Sequence, residues 1–219
     1  MGTHTKGDLT RKKIIDDVNR LFNKNDKLLT LDELAGALEI NRSRITNYFP
    51  KKEHLILAIF EQYQTKLLEI IEQNQPDTEH IGFPNLIGYY SRILDLSYEF
   101  RFTISYVFVY PPNDSELRDH ITNTYAGNKE RISNRLRSLV NSGMLEGKIL
   151  EPANFEVFIF QHVNLLTTWI ISYRIYDHQK SYEQMKTTYL RGIMNCYHPY
   201  LTPKGKGEIE EAMNGPEKI

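Results

Sequence analysis

The sequence predicts an all-α protein, with an N-terminal three-helix unit that contains a helix-turn-helix and a larger helical domain after it. Apolar residues recur at helical spacing along most of the chain. Residues that suit helix N-caps, such as Thr30 and Ser181, stand directly before several of these patterns. We therefore assign residues 1–50 to the N-terminal unit, residues 51–201 to the helical domain, and residues 202–219, which are rich in Gly, Lys and Glu, to a flexible tail.

The composition is that of an ordinary globular protein, because 40% of the 219 residues are hydrophobic and 25% are charged. Cys196 is the one cysteine, which excludes an internal disulfide, and the first residues lack the apolar run of a signal peptide. We therefore expect a cytoplasmic protein. Residues 1–60 contain 11 Lys and Arg against 8 Asp and Glu, whereas the remainder contains 16 against 20. A basic N-terminal unit attached to a mildly acidic domain explains this difference in charge. A difference of this size is also common by chance.

Three helical patterns build the N-terminal unit. An apolar stripe within residues 9–24 predicts the first helix. Thr30 followed by Glu33 is the reciprocal pattern of a capping box, and it opens the second helix. The third helix begins after Asn41, whose side chain is suited to accept a backbone N–H as an N-cap. Two short helices joined by a tight turn predict a helix-turn-helix.

The third helix presents a polar and basic face. When Ile45 faces the core, 100° of rotation per residue places Ser43 and Asn47 opposite it, with Arg44 and Thr46 on the flanks. Residues 40–52 contain no Asp or Glu, and their four cations are Arg42, Arg44, Lys51 and Lys52. A run of charge is often a solvated helix surface. In a helix-turn-helix the same face enters the major groove of DNA, so charge alone leaves both interpretations open.

The order of residues in this region resembles the DNA-binding end of the TetR family of bacterial regulators. In that family a capped helix is followed by a turn, a recognition helix, an aromatic-Phe-Pro segment and a Lys-Glu pair. The matching residues are Thr30, Ala35, Ile40, Asn41, Ser43, Ile45, Tyr48, Phe49, Pro50, Lys52, Glu53 and Leu55. Two positions depart from the pattern. Thr46 replaces the usual Tyr, and Glu39 replaces the usual Gly, which implies a mildly strained or re-formed turn.

The resemblance implies a homodimeric DNA-binding transcriptional regulator, a repressor in the simplest case. Its partners would be double-stranded DNA with a palindromic operator and a small-molecule effector that releases the DNA. The residues expected to face base edges are Ser43, Arg44, Thr46 and Asn47. The residues expected to hold phosphates are Thr30, Arg42, Tyr48, Lys51 and Lys52. The resemblance also implies that the C-terminal helical domain binds the effector and forms the dimer through its last two long helices.

Long amphipathic patterns fill the helical domain, and the first begins at Lys52 and ends before Pro76. The segment 100–110, FRFTISYVFVY, has the alternation of a strand. We nevertheless predict a helix there, because a lone strand would lack a partner and the resembling family has a helix at this place. Breaks between helices are predicted at 75–84, at 111–114 and near Gly143.

Residues 157–173 contain no Asp, Glu, Lys or Arg, which raises the question of a membrane span. Six polar residues and a length of only 17 residues argue against one. We predict a helix buried on two sides, with one face against its own domain at Phe155, Phe158, Ile159, His162, Leu166, Trp169, Ile170 and Tyr173. The other face, which we expect to pack against a second copy, carries Val157, Phe160, Ile171 and Ile175. A last long helix is predicted between Ser181 and Pro199.

No catalytic, nucleotide-binding or metal-binding motif is recognisable, so we predict no enzyme activity, no cofactor and no metal site. Cys196 and His198 are too few ligands for zinc. The aromatic residues of the helical domain either fill its core or line an effector cavity. The candidates for the cavity are Tyr90, Phe102, Tyr106, Tyr110, His162, Trp169 and Tyr173. The alternative function is a helical protein that binds a small molecule or a protein partner and has lost DNA binding.

Overall fold

The computed structural model describes residues 5–74, 82–110 and 115–214. Within these residues the chain forms ten α-helices and no β-strand, apart from a single antiparallel bridge between Leu145 and Leu201. The predicted all-α class is therefore confirmed. None of the helices in the described part combines the length and the apolar character that are needed to cross a bilayer.

The chain is divided into two compact units. The first consists of Met1–Glu69 and Leu96–Tyr110, and the second consists of Ile70–Asp95 and Pro111–Ile219. The first unit thus combines the N-terminal helices with a segment from the middle of the sequence. The functional boundary that we predict at residue 50 stays a prediction.

The helices that contribute to the first unit are α1 (Lys6–Asn25), α2 (Leu31–Ala37), α3 (Arg42–Thr46), the greater part of α4 (Lys52–Gln73) and α6 (Arg101–Val109). Each contributes apolar side chains to one core, and the fully buried ones include Val18, Phe22, Leu34, Ile45, Leu55 and Ile59. The first helix begins earlier than the predicted residue 9. Thr5 accepts the N–H of Asp8 and forms a capping box, so local hydrogen bonding extends the helix toward the N-terminus.

The segment 100–110 is helical, as predicted, and forms α6. Its residues from Phe102 to Ser105 are all buried, so this helix is enclosed on more than one side and lacks a simple amphipathic stripe. The ring of Phe102 lies 5.2 Å from that of Phe22 of α1. The alternation of large apolar residues in this segment therefore reflects enclosure and not strand pairing.

A short break separates α5 (Phe83–Glu99) from α6, and α1 covers it. The carbonyl oxygen of Glu99 accepts hydrogen bonds from Nδ2 of Asn19 at 2.9 Å and of Asn23 at 2.7 Å. The N–H of Phe102 donates to Oδ1 of Asn23 at 3.1 Å. Backbone groups left without helical partners at the break are thereby satisfied by two amide side chains, which fixes α1 against the start of α6.

The second unit contains most of α5 together with α7 (Ser115–Asn141), α8 (Pro152–Ser172), α9 (Tyr182–Met194) and α10 (Pro203–Asn214). A π-helical turn, Tyr173–Asp177, continues α8, and 3-10 turns lie at Gly147–Leu150 and Asn195–Tyr200. The predicted end near Gly143 is confirmed, since this glycine has φ +74°. Ser181 forms the predicted cap, as a capping box with Gln184. The break predicted at 111–114 and residues 75–81 of the predicted 75–84 break lie outside the described residues.

Two faces of α8 differ as predicted. On one face Phe158, Ile159, His162, Trp169 and Ile170 are buried, although Phe155 and Leu166 of the same predicted face are only half-buried. On the other face Val157 is 53% exposed, Phe160 is 68% exposed and Ile175 of the following turn is 59% exposed, whereas Ile171 of the same predicted face is half-buried. A single chain therefore leaves an apolar stripe of α8 uncovered by any described residue.

The segment 202–219, for which the sequence predicts a flexible tail, is instead helical over α10. The hydroxyl of Thr202 accepts a backbone N–H of the first turn of this helix at 3.1 Å, which is an N-cap. The carboxylate of Glu208 accepts the N–H of Phe83 at 2.8 Å. These hydrogen bonds anchor a helix that has few large apolar residues, which explains why the hydrophobic pattern did not reveal it.

Candidate nucleic-acid interface

The start of α2 is fixed by the predicted capping box. Oγ1 of Thr30 accepts the N–H of Glu33 at 3.2 Å, and the carboxylate of Glu33 accepts the N–H of Thr30 at 2.7 Å. The bond from the Thr30 backbone and the ammonium of Lys27 at 3.0 Å lower the pKa of Glu33 to about 2. Thr30, which we predict to hold a phosphate, thus uses both its N–H and its hydroxyl within this cap.

The turn after α2 has the hydrogen bonds of a Schellman motif. Ile40 donates its N–H to the carbonyl of Ala35 at 3.0 Å, and Glu39 donates to that of Gly36 at 3.2 Å. Glu39 itself has φ +54°, the left-handed conformation that Gly adopts freely. The predicted strain at Glu39 is confirmed, because the turn keeps its geometry and a non-glycine residue takes the left-handed position.

The short helix α3 is anchored by Ile45, whose side chain is fully buried. Ser43, Arg44 and Asn47 are exposed, as the helical rotation predicts. The predicted side-chain cap by Asn41 is wrong, since its side chain makes no capping hydrogen bond. Its backbone carbonyl accepts the N–H of Arg44 at 2.9 Å instead, so a backbone turn begins this helix.

The outer face of α3 and the C-terminal end of α2 enclose an open concavity of about 550 Å³. Its lining residues are Ala35, Gly36, Glu39, Ile40, Asn41, Ser43, Arg44 and Asn47. A Cβ atom placed on Gly36 would meet no heavy atom within 4 Å, so the space beside α2 is open there. Three of the predicted base-reading residues therefore share one concave surface. The lining role of Glu39, Gly36 and Asn41 was missed from the sequence, although the departure at Glu39 was a signal.

The remaining predicted DNA-binding residues do not line this concavity. Arg42 forms an ion pair with Asp32 at 3.2 Å, in which both side chains are more than half exposed. Such a surface pair stabilises the fold little, so a phosphate could displace the carboxylate. Thr46 and Tyr48 are half-buried, and Thr46 donates to the carbonyl of Ser43 at 3.4 Å.

Lys51 and Lys52 stand at the start of α4, where Lys51 is exposed and Lys52 is half-buried. Neither lysine forms an ion pair with a residue that the structure describes. Between them and α3, Phe49 is buried beneath the guanidinium of Arg11, which lies 5.2 Å from the ring centroid. The buried ring of Phe49 therefore fixes the position of the chain segment that carries Lys51 and Lys52.

The seven predicted effector residues are divided between the two units. Phe102, Tyr106 and Tyr110 follow one another along α6 in the first unit, with ring centroids 6.2 Å and 5.3 Å apart. The second unit contains Tyr90, His162, Trp169 and Tyr173. Among these, Trp169 and Tyr173 are neighbours with ring centroids 6.4 Å apart.

Tyr90 and His162 belong to a buried hydrogen-bonded chain in the second unit. The Tyr90 hydroxyl lies 2.8 Å from Nε2 of His162 and 2.9 Å from the hydroxyl of Tyr197. Burial, and after it the charge of Arg135, lowers the pKa of His162 to about 3, so the imidazole is neutral at physiological pH. The guanidinium of Arg135 lies 4.3 Å from the ring centroid of Tyr89. Tyr197 and Arg135 were missed, because nothing local in the sequence marks them.

A metal site finds no support in the described residues, which contain no group of three or more His, Cys, Asp or Glu side chains able to hold an ion. Cys196 is buried, and burial raises the pKa of its thiol to about 11. A thiolate, the form that binds metals and attacks substrates, is therefore disfavoured at this position.

Comparison with known proteins gives a family and a fold. A family model described as TetR, a bacterial transcriptional repressor, matches residues 60–209. No curated protein gives a significant match. A TetR-family regulator from Marinobacter aquaeolei VT8 is similar in structure, with a TM-score of 0.79 and 19% identity over 93% of this chain and 97% of that one.

Two further solved structures share the fold. A gamma-butyrolactone receptor, described as ArpA-like, has a TM-score of 0.67 and 13% identity over 95% of this chain and 96% of its own. SmeT in complex with triclosan has a TM-score of 0.59 and 14% identity, and covers 89% and 93% of the two chains. Identities this low show the fold alone. The family model, in contrast, spans most of the sequence, and the chain therefore belongs to the TetR family of transcriptional regulators.

Proposed function

We propose that the protein is a DNA-binding transcriptional repressor that binds a palindromic operator as a homodimer and is released by a small-molecule effector. The observation that carries this proposal is the orientation of α3. Ile45 is buried beneath the helix, while Ser43, Arg44 and Asn47 are exposed around an open concavity. A short helix anchored on one side, with polar and cationic side chains on the other, suits the major groove.

The predicted DNA-binding residues divide into two roles. Ser43, Arg44 and Asn47, together with Thr46, read base edges, because hydroxyl, guanidinium and amide groups match the hydrogen-bonding pattern of the major groove. The residues that hold phosphates and fix the register on the duplex are Arg42, Tyr48, Lys51 and Lys52. Thr30 contributes by fixing the start of α2, because its N–H and hydroxyl are both bonded to Glu33. In this arrangement residues 1–50 form the DNA-binding domain, and residues 51–201 form the effector-binding and dimerisation domain.

Dimerisation through α8 and α9 is supported by the uncovered apolar stripe of α8. Val157, Phe160 and Ile175 are each more than half exposed. Exposed apolar stripes of this kind mark interaction surfaces, and a twofold axis would bring two copies of the stripe together. The same axis gives the operator its palindromic symmetry.

A small-molecule effector is supported by the relatives, since SmeT is solved with triclosan and another similar structure is named as a gamma-butyrolactone receptor. In this chain Tyr90, His162, Trp169 and Tyr173 are buried aromatic residues of one unit and include a few polar atoms, the kind of side chains that line small-molecule sites. An effector that binds better to the conformation with mis-spaced recognition helices lowers DNA affinity by that preference. Such a regulator acts in the cytoplasm, and no catalytic step is part of the proposal.

The test distinguishes the residues that read bases from the residues that hold phosphates. Duplexes preferred by the wild-type protein are first selected from a random library, and affinity is then measured by mobility shift at several salt concentrations. We expect Arg44→Ala to weaken binding to the selected site by about 1–3 kcal/mol and to relax preference at one base pair. Lys52→Ala should weaken binding to all sequences alike and reduce the salt slope by about 1. Equal effects of both variants on selected and random DNA would contradict this division of roles.

The second candidate function is a helical small-molecule or partner-binding protein that has lost DNA binding. Two observations favour it: Arg42 is already paired with Asp32, and an acidic side chain, Glu39, lines the concavity. Failure of the wild-type protein to enrich any duplex from the random library, or to shift its own upstream DNA, would establish this alternative over the repressor.

A further inference from the structure

Glu39 places a negative charge on the surface that would face DNA. Of the eight residues that line the concavity, Arg44 is the one cation and Glu39 is the one anion. Both side chains are exposed. A carboxylate on a nucleic-acid interface is repelled by phosphates at any sequence, and it contributes favourably only where a base offers it a hydrogen-bond donor.

The backbone conformation at residue 39 favours glycine, so a glutamate at this position needs an explanation. Its φ of +54° lies in the left-handed region, which is costly for a residue with a Cβ atom and free of that cost for Gly. The Schellman motif around it would therefore form more easily with Gly. Residues held in costly backbone conformations cluster at functional sites.

The carboxylate of Glu39 is also available. Two other acids of the same unit are engaged in ion pairs, Glu33 with Lys27 and Asp32 with Arg42. Glu39 and Arg44 line one concavity with opposite charges, yet neither forms an ion pair with any residue in the described part of the chain. Because these two opposite charges do not pair with each other, both side chains are able to bind groups on a ligand.

We propose that Glu39 is a specificity-determining residue of the recognition surface and accepts a hydrogen bond from the N4 amino group of a cytosine in the major groove. The inference rests on the DNA-binding function proposed above. Arg44 donates to the O6 and N7 atoms of a guanine, the matching cation contact. Each half-site of the operator then contains a cytosine that is read by Glu39 and a guanine that is read by Arg44.

The experiment compares base preferences of three proteins on a random duplex library: the wild type, Glu39→Gln and the control Glu61→Gln. Glu61 is an exposed acid of α4 that does not line the concavity, and its substitution changes the net charge by the same amount. We expect Glu39→Gln to weaken the preference for cytosine at one position of each half-site and to admit adenine there, because the amide keeps one acceptor and adds a donor that matches adenine N6 and N7. Glu61→Gln should leave the preference at every position unchanged.

A second variant guards against a folding effect. Glu39→Gly suits the left-handed backbone and should raise the melting temperature. Because it leaves no side-chain acceptor, it should also reduce the cytosine preference by about 5- to 100-fold. Two results overturn the inference while the proposed function survives. One is an unchanged cytosine preference in Glu39→Gly, and the other is uniformly tighter binding of this variant to all sequences, which would make the carboxylate a phosphate-repelling group only. Absence of any enriched duplex with the wild type would overturn the proposed function and this inference together.

Discussion

His162 shows how burial, together with a neighbouring charge, decides the protonation state of one residue. The imidazole is fully buried, stacks on Phe158 with ring centroids 5.1 Å apart, and contacts the Tyr90 hydroxyl through Nε2. Nδ1 has no partner of normal hydrogen-bond geometry among the described residues. A protonated imidazole would have to lose its hydration inside this aromatic cluster, so the pKa falls from 6.5 to about 3. The residue is therefore a neutral hydrogen-bonding group in the folded protein.

This pKa shift predicts how stability depends on pH. Between pH 6.5 and 5 the unfolded chain protonates His162 and the folded chain does not, so the free energy of unfolding falls as the pH falls. The contribution of this residue is about 1–2 kcal/mol over that interval. We expect His162→Gln to lose it, and His178→Gln, at an exposed histidine, to retain it.

Urea denaturation of the wild type and both variants at pH 6.5, 5.75 and 5 measures the slopes. The interval lies above the ordinary glutamate pKa of 4.5, and the lowered pKa of Glu33 affects stability mainly below that value. A slope in His162→Gln equal to that of the wild type would show that the buried histidine is not the group responsible.

At the same scale, the sequence predicts the hydrogen bonds that form between residues close together in the chain. The capping box of Thr30 and Glu33 is local, and it forms as predicted. Asn41 occupies the N-cap position but makes no side-chain cap, because a backbone carbonyl bond begins α3. Propensity could not choose between these two ways of starting a helix. The side-chain partner of Tyr90, Tyr197, is 107 residues distant along the chain, so no local pattern indicated it.

Among the helices, α10 shows what a hydrophobic pattern overlooks. The hydroxyl of Thr202 lies within hydrogen-bond distance of the carbonyls of Gly143 and Met144, at 2.7 Å and 3.2 Å. The ammonium of Lys204 donates to the carbonyl of Ser142 at 2.9 Å. The start of α10 therefore satisfies carbonyl groups at the C-terminal end of α7, which would otherwise lack partners.

Two glycines of α10 provide a matched test of this anchoring. A Cβ atom at Gly205 would overlap the carbonyl oxygen of Met144, whereas one at Gly207 would meet no heavy atom within 4 Å. We expect Gly205→Ala to reduce the free energy of unfolding by about 1–3 kcal/mol, because backbone must move to admit the methyl group. Gly207→Ala should stabilise the protein by up to about 1 kcal/mol through helix propensity.

Thermal unfolding of both variants, read by circular dichroism, checks the pair. Identical small effects of the two substitutions would mean that residues 203–214 do not pack as α10 in solution. A signal for this helix did exist in the sequence, since Thr202-Pro203 combines an N-cap residue with Pro at the first helical position. The scarcity of large apolar residues outweighed it.

For α6 the hydrophobic pattern points to the wrong kind of element. The alternation within 100–110 favours a strand, and the correct prediction of a helix depended on the lack of a partner strand and on the family resemblance. The structure supplies the physical reason. Asn19 and Asn23 of α1 bind the backbone on both sides of the break before α6, and Phe22 packs on Phe102. Such contacts join segments about 80 residues apart, beyond any local pattern.

At the scale of the whole molecule, the sequence indicates surfaces better than it indicates their partners. The two faces of α8 follow from helical spacing, and the structure leaves the second face exposed in the single chain. Apolar side chains that remain exposed after folding contribute favourable hydrophobic free energy when a second surface buries them. Because a closed twofold dimer buries the same stripe on both copies, one substitution removes two contacts at once.

Phe160 is therefore the residue at which we expect dimerisation to be most sensitive. It is 68% exposed in the single chain, and Phe160→Glu would place two carboxylates at the twofold interface without disturbing the buried face of α8. Sedimentation at micromolar concentration should show a wild-type dimer and a Phe160→Glu monomer that keeps its helical content and a cooperative thermal transition.

Leu68→Glu provides the control, since this leucine of α4 is 48% exposed and lies outside the α8 stripe. It should remain dimeric and retain DNA affinity, whereas Phe160→Glu should lose most of its affinity for a palindromic duplex and approach that of a single half-site. A dimer that has bound one half-site contacts the second half-site without a further loss of association entropy. A monomer lacks this gain, so Phe160→Glu weakens binding to the palindrome more than it weakens binding to an isolated half-site. A Phe160→Glu protein that sediments as a dimer would place the interface on another surface, and a wild-type protein that stays a single chain on DNA would contradict the twofold arrangement itself.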